Sequence, residues 1–155
     1  MEKTNSMRLL EQRGIGYEVF TFSPEIHSAM GVAEVTGFQP QEVFKTLVVM
    51  RPSGKPFLVI APGDGELNLK KAAAGVGEKK VAMTSQREAE AITGLQVGGI
   101  SALALLQKGL PVYIDRSALQ HERILVSAGK RGINLRLRTE DLIRVVKARV
   151  IDAVD

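Results

Sequence analysis

Three stretches of the chain carry residues whose types and spacing suit chemistry. The first is Val43-Phe44-Lys45-Thr46-Leu47-Val48-Val49-Met50, where Lys45 alone interrupts a run of β-branched, aromatic and long apolar residues. An ammonium set in such a surface either binds an anion, or escapes along its flexible stem to water or a carboxylate. The second is Gly98-Gly99-Ile100-Ser101. Paired glycines let backbone amides approach a ligand closely or take positive φ, and such amides can hold an oxyanion or a carbonyl oxygen. A plain turn uses the same residues. The third is Ser127-Ala128-Gly129-Lys130-Arg131-Gly132, with a hydroxyl, a flexible backbone and two adjacent cations. It reads as a phosphate cradle or as a solvated basic turn. It lacks the G-x-x-x-x-G-K-[ST] spacing of a nucleoside triphosphate loop.

What is missing narrows the chemistry. The 155 residues include no Cys, which removes disulfides, a thiolate nucleophile and a Cys-based zinc site. His27 and His121 are the two histidines, so a metal site would rest mainly on carboxylates, and no spacing suggests one. Both histidines lie in polar stretches without a serine elbow and read as surface residues. Asp115, at the end of an apolar run, either serves a site or caps the turn into Arg116-Ser117. The formal charge of +4 suits an anionic partner if the excess is clustered. Lys70, Lys71, Lys79, Lys80, Arg136 and Arg138 either form a basic face for a nucleic-acid backbone or are scattered solubilising charges. Met1 to Thr4 leads into no apolar core of signal-peptide type, and no run of about 20 apolar residues exists to span a membrane. A cytoplasmic location is the expectation.

These residues must be positioned by short elements. Alternation along the strand over 43–50 puts Lys45 on the face of Leu47 and Val49, with Phe44, Thr46, Val48 and Met50 on the other. The turn Pro52-Ser53-Gly54-Lys55 and the apolar run Pro56 to Ala61 predict an antiparallel hairpin. Further strands are expected at Tyr17–Phe22, Lys79–Met83, Pro111–Asp115, Arg123–Ser127 and Ile133–Leu137, with a short extended piece at Leu95–Val97. Helices are expected after Thr4 or Asn5, from Ser28 to Gly37, after Asn68, from Ser85 (a capping box with Glu88) to Gly94, and after Thr139. Lys147 to Asp155 frays or extends that last helix. At this length one domain over 1–155 is expected. Several strand-to-strand links are too short for parallel crossovers. The expected fold is therefore α+β, a mixed and largely antiparallel sheet, strongly curled into a partial barrel, with flanking helices.

Taken in order, Val43-Phe44-Lys45-Thr46-Leu47, Leu67-Asn68-Leu69-Lys70-Lys71, Lys79-Lys80-Val81-Ala82-Met83, Thr93-Gly94, Val97-Gly98-Gly99-Ile100-Ser101, Ile114-Asp115 and Val126-Ser127-Ala128-Gly129-Lys130-Arg131-Gly132 resemble the YbaK/EbsC family. Its members are free-standing relatives of the editing insertion domain of bacterial prolyl-tRNA synthetase. The resemblance spans nearly the whole chain. It implies a deacylase that hydrolyses the ester between a wrong amino acid, cysteine foremost, and the 3′-adenosine of tRNA(Pro). It implies no cofactor, mischarged tRNA(Pro) and prolyl-tRNA synthetase as partners, and a monomer or weak homodimer. The family's lysine falls on Lys45, which would hold the tRNA end and stabilise charge near the ester. Its glycine loop falls on Gly98, Gly99, Ile100 and Ser101, around the aminoacyl group. Thr46, Ser127, Gly129 and Lys130 would line the same pocket, and Phe22 stands where the family has an aromatic. Two positions depart from the pattern. The loop reads G-x-x-x-P in the family and ends here in Ala102, which frees φ at that corner. Close relatives carry an acid where this chain has Asn134, and an amide cannot pair with a cation as a carboxylate does. The departures motivate an alternative: a non-catalytic module that binds tRNA or the synthetase, or a relative with different amino-acid specificity. A missing side-chain nucleophile suits the family. Aminoacyl esters are activated, so positioning and carbonyl polarisation suffice, with water or a cysteinyl substrate's own thiol as attacker.

Overall fold

The computed structural model describes residues 1–155. The strongest strand signal becomes β2 (Phe44–Met50), and the chain returns as β3 (Pro56–Pro62). They pair antiparallel, with Lys45 opposite Ala61 and Thr46 opposite Ile60. The Arg51 N–H donates to the Lys55 carbonyl at 3.0 Å to close the hairpin. Gly54 supplies the left-handed residue that this turn requires, with φ +87°.

Eight strands form two sheets. The larger has the order β4 (Ala82–Met83), β2, β3, β5 (Val112–Asp115), β8 (Arg149–Ile151). The smaller has the order β1 (Glu18–Thr21), β7 (Ile133–Arg138), β6 (Arg123–Lys130), antiparallel throughout. A single bridge, Val43 to Leu125, ties them together. The α+β class and the antiparallel majority stand, but no sheet closes, and the strongly curled partial barrel is corrected to two open sheets. The reason lies in the connections. After β3 the chain passes through α3 (Leu69–Val76) and α4 (Gln86–Thr93) before β5, long enough to let β5 lie parallel to β3. After β5 a short 3₁₀ turn, Arg116–Gln120, carries the chain into the other sheet. The tail is a second correction. Arg149–Ile151 is neither frayed nor helical; it adds a strand parallel to β5.

The sheets pack face to face. Phe44, Val48, Leu58, Ile60 and Ile114 from the larger meet Ile124, Val126, Leu135 and Leu137 from the smaller. Met7 and Leu10 of α1 (Asn5–Gln12) and Leu142 and Val145 of α5 (Thr139–Val146) complete this core. On the opposite face of the larger sheet, Val49, Phe57 and Val59 pack on Ala72 and Ala73 of α3. Burial on both faces is why β2 and β3 read as continuous apolar runs. Side chains of that size contribute about 1.5–3 kcal/mol each when fully buried. α2 (Ala29–Thr36) covers the outer face of the smaller sheet, where Val32 and Ala33 meet Val43 and Leu125.

The caps follow the local rules. Thr4, Ser28, Asn68 and Ser85 each accept an N–H from the first turn of a helix, and Ser85 with Glu88 completes the capping box. α5 differs: Thr139 lies inside it and uses its hydroxyl to donate to the His121 carbonyl, so the N-cap position falls to Arg138. Leu95–Val97 is a loop, not an extended piece. No helix is long and apolar enough to cross a membrane.

Candidate active site

A cavity of about 450 Å³ opens beside β2. One wall is the edge of β2 from Val43 to Val48. A second is the outer face of the smaller sheet, where Ser127 on β6 stands directly opposite Asn134 on β7. The start of α2, His27 to Met30, closes a third side, and Met83, Thr84, Ala89, Gly98 and Ile100 close the fourth. The lining is mostly apolar, and no Asp or Glu belongs to it.

The β2 edge offers backbone groups. Gly63 N–H donates to the Val43 carbonyl at 2.7 Å, which makes these two a hydrogen-bonded pair. Antiparallel ladders alternate bonded and non-bonded pairs, so Lys45 with Ala61 and Leu47 with Val59 carry the next ladder bonds. Phe44, Thr46 and Val48 therefore turn their N–H and C=O groups away from β3. The Val48 carbonyl is taken by Thr84, through its N–H at 3.4 Å and its hydroxyl at 2.9 Å. β4 pairs only with Val49 and Met50, so no strand continues the sheet beside Thr46, and its peptide groups border the cavity.

Lys45 lies on the face that alternation assigns it. Lys45, half-buried, is one of the residues that line the cavity, and its ammonium donates to the Gly65 carbonyl at 2.9 Å. That carbonyl fixes the head group but brings no negative charge. Two of the three ammonium N–H groups remain for a ligand.

Gly98 and Gly99 sit in a loop anchored from both sides. The Val97 N–H donates to the Glu90 carboxylate at 2.8 Å, and the Arg131 Nε donates to the Val97 carbonyl at 2.7 Å. The Gly99 N–H donates to the Gln96 carbonyl at 2.8 Å. Gly98 has φ +93°, and a Cβ there would fall 2.3 Å from the His27 Cβ and 2.6 Å from its carbonyl oxygen. A Cβ on Gly99 would fall 2.9 Å from the Arg131 backbone nitrogen. The glycine pair thus lets three segments meet: the start of α2, this loop and the β6–β7 turn.

Ser127 to Gly132 is not an open loop. β6 continues to Lys130 with a bulge between Ser127 and Lys130, and only Arg131 and Gly132 make the turn. The Ser127 hydroxyl accepts the Gly129 N–H at 3.1 Å within the bulge. Of the positions singled out from sequence, Lys45, Thr46, Gly98, Ile100, Ser127 and Asn134 line one cavity. The others lie behind it. Ser101 is buried and its hydroxyl accepts the Ala104 N–H, while Ala102 belongs to the main core. Phe22 packs beside α2, its N–H donating to the Gly132 carbonyl, and Lys130 is exposed. Asp115 is structural, its two carboxylate oxygens accepting the Ser117 and Ala153 N–H groups. Arg136 and Arg138 pair with Glu18 and Glu140, and Lys71 with Asp152, which spends part of the basic face on the protein itself.

Sequence reasoning read His27 as a surface residue, and it is exposed, but did not assign it, Met30, Met83 or Thr84 to the cavity wall, where all four lie. His27 stands out there as the one titratable side chain besides Lys45, exposed to solvent with its Cβ against Gly98. Nothing local in the sequence marks it; the signal is its tertiary approach to the glycine.

Comparison with known proteins follows the same geography. A family model described as an aminoacyl-tRNA editing domain matches residues 23–145, which hold every residue of the cavity wall. A protein of Enterococcus faecalis, provisionally named Cys-tRNA(Pro)/Cys-tRNA(Cys) deacylase EbsC, is 39% identical over 150 residues, covering 96% of this chain and 91% of that one. The proline–tRNA ligase of Shouchella clausii is 32% identical over 110 residues, 71% of this chain and 19% of the ligase. A crystal structure provisionally described as a trans-editing enzyme for prolyl-tRNA synthetase superposes with a TM-score of 0.81 at 24% identity, over 100% of this chain and 99% of that one, a likeness of fold. On the extent of these matches, the chain belongs to the aminoacyl-tRNA editing domain family, in its YbaK/EbsC group.

Proposed function

We propose that this chain is an editing deacylase that hydrolyses the ester between a wrong amino acid and the 3′-adenosine of tRNA(Pro), with Cys-tRNA(Pro) a substrate. The observation that carries this reading is that Lys45, whose ammonium has no anionic partner, lines one mostly apolar cavity together with Gly98 of the glycine loop and the free Thr46 edge. A tRNA end brings what that arrangement lacks: phosphate charge for Lys45, and an aminoacyl group small enough for the cavity. The relatives' names, a Cys-tRNA deacylase and a proline–tRNA ligase, support the same substrate class. They also support action beside prolyl-tRNA synthetase, in the cytoplasm.

The chemistry needs positioning more than a protein nucleophile. The two cavity serines are occupied as acceptors, Ser28 capping α2 and Ser127 capping the bulge. In this reading the ester carbonyl lies against the Gly98 and Ile100 N–H groups, the amides of this loop that donate to no protein acceptor, and they stabilise the charge that develops on its oxygen. Water attacks the carbonyl carbon, the bond to the ribose oxygen breaks, and the proton lost by water ends on that oxygen. A free amino acid and a tRNA with its 3′-hydroxyl result. With a cysteinyl ester the substrate's thiol can attack the carbonyl carbon in place of water: the carbon–sulfur bond forms as the bond to the ribose oxygen breaks, the thiol proton passes to that oxygen, and the amino acid leaves as its cyclic thioester.

The test is Lys45→Ala assayed on Cys-tRNA(Pro). We expect deacylation to be lost while the thermal melt stays close to wild type, because the ammonium's one bond is to a loop carbonyl. A wild-type protein that releases no amino acid from any mischarged tRNA(Pro) would end this reading.

A further inference from the structure

The cavity contains one polar side chain that the fold buries and leaves unpartnered. Asn134 is only 5% exposed, yet no group of the protein hydrogen-bonds its carboxamide. Its amide atoms are not sealed in either, since the sole fully enclosed, unbonded polar atom in the chain is the Ser117 hydroxyl. What solvent the amide sees, it sees through the cavity it lines. The strand register explains the aim. Leu135 and Leu137 point into the main core, so Asn134 points to the opposite face, under the start of α2.

Its neighbour is polar too. Ser127 stands opposite Asn134 across the ladder, where facing side chains lie within hydrogen-bonding range of one small group. The Ser127 oxygen accepts the Gly129 N–H, which leaves the hydroxyl proton free. Together the pair presents two amide donors, an amide acceptor and a hydroxyl donor on the wall of an otherwise apolar space. Water in the open cavity can satisfy this amide, but a ligand that displaces the water must either donate and accept in its place or leave the amide short of bonds, at a cost of about 1–3 kcal/mol. A hydroxyl does both. A methyl does neither. An ammonium calls for a carboxylate, and the cavity wall has none.

We propose that Asn134 and Ser127 form the side-chain subsite of the editing pocket, and that it selects aminoacyl esters with a short hydroxyl-bearing side chain, serine foremost, over alanine. The inference rests on the deacylase reading above and adds the chemistry of the amino acid. Serine and alanine differ here by one oxygen, so the ratio of their rates isolates the subsite. Cysteine is left out of that ratio, since its thiol can attack the ester itself.

The experiment acylates one tRNA(Pro) with serine and, separately, alanine, and measures deacylation by the full chain at limiting enzyme. Serine should be released faster than alanine by about tenfold or more, as expected when a site built to bond a hydroxyl meets an analogue without one. In Asn134→Leu, which keeps the branched heavy-atom skeleton and removes the polar atoms, that ratio should fall to about one. Ser127→Ala guards against misfolding of the first variant and should lower the ratio in the same direction by a smaller factor. Equal wild-type rates for serine and alanine overturn the subsite. So does a ratio that survives both substitutions, which would show the amide bonding a group shared by all substrates, such as a ribose hydroxyl. If wild type hydrolyses neither ester nor Cys-tRNA(Pro), the deacylase reading itself fails, a result distinct from hydrolysis without preference.

Discussion

Gly98 and Gly129 both hold left-handed backbone, at φ +93° and φ +106°, and both sit in stretches whose composition suits ligand binding. The structure gives them different work. Gly98 lies in a loop on the cavity wall, and the atoms it would strike are the Cβ and the backbone of His27. Gly129 lies in the bulge of a strand, off the cavity, and the atom it would strike is the Cβ of Ala104, 2.7 Å away on an exposed residue. A glycine in a loop lets another segment reach the site; a glycine in a ladder bends a strand and lets a neighbour pack. Composition is blind to this distinction, because pairing decides it.

The largest effect we expect separates the two. Gly98→Ala puts a methyl where the His27 backbone already is, and neither partner can yield without moving the cavity wall. Deacylation of Cys-tRNA(Pro) should fall about 100-fold, the scale of a 1 Å misplacement. Gly129→Ala carries the same conformational strain, about 1–3 kcal/mol, but Ala104 has room to shift. Its cost should register in denaturant unfolding, with a loss of rate at least tenfold smaller than that of Gly98→Ala. Equal rate losses in the two variants would erase the distinction between site and scaffold.

A middle-sized effect tests how the loop is held. Val97 is gripped at both ends of its peptide units by charged side chains, its N–H by Glu90 on α4 and its carbonyl by Arg131 on the β6–β7 turn. The turn therefore serves the site at second hand, through Arg131, although Lys130 and Gly129 do not line the cavity. Replacing Arg131 by Met keeps the stem and removes the donor. We expect kcat to fall about tenfold with KM changed less, since a charged hydrogen bond is worth roughly 1.5–3 kcal/mol and here positions the loop more than it binds substrate. A change confined to KM would instead make Arg131 a contact for the tRNA.

What could be seen in the sequence follows the range of the interaction responsible. Thr4, Ser28, Asn68 and Ser85 were legible as caps because each bonds a backbone N–H within three residues. β2 was legible because Lys45 is the lone exception in an apolar run that buries both faces. Arg149-Val150-Ile151 was not legible. Three residues carry no periodicity, and their strand character is conferred by the free edge of β5, more than thirty residues earlier. The partial barrel failed for a related reason: short links suggested that successive strands pair, whereas β5 pairs parallel with β3 across two helices. At the site, Lys45 and Gly98 announce themselves by type. His27 and Met83 do not, being ordinary residues that only the tertiary fold carries to the wall. Asn134 was visible as a departure from the family's acid, but that its amide goes unpartnered is a fact of packing.

The smallest effect concerns the brace behind the hairpin. The Ser6 hydroxyl of α1 donates to the Ala128 carbonyl at 2.7 Å, so α1 backs the bulge that holds Ser127 and Gly129. Beside it, Glu11 accepts from Lys3 and, at 2.7 Å, from the Tyr17 hydroxyl. The hydrogen bonds from Lys3 and Tyr17 lower the Glu11 pKa below its ordinary 4.5. Burial, and then the hydrogen bond to Glu11, raise Tyr17 to about 12. The signs differ. Glu11, favoured as a carboxylate in the fold, contributes stability above pH 4.5 that is lost as pH falls through its lowered value. Tyr17, favoured as the neutral phenol, contributes stability below pH 10 that is lost as pH rises from 10 through about 12. Glu11→Gln should therefore flatten the acid limb of melting temperature against pH, and Tyr17→Phe the alkaline limb between pH 10 and 12. Glu11 is exposed and its charges are screened, so both changes should be small beside that of Gly129→Ala. Deacylation at neutral pH should follow wild type in both variants, because α1 bonds the bulge at Ala128 and none of its residues lines the cavity. A rate loss in Tyr17→Phe comparable to that of Arg131→Met would mean that the bulge transmits strain to Ser127, and that hairpin and loop are one device.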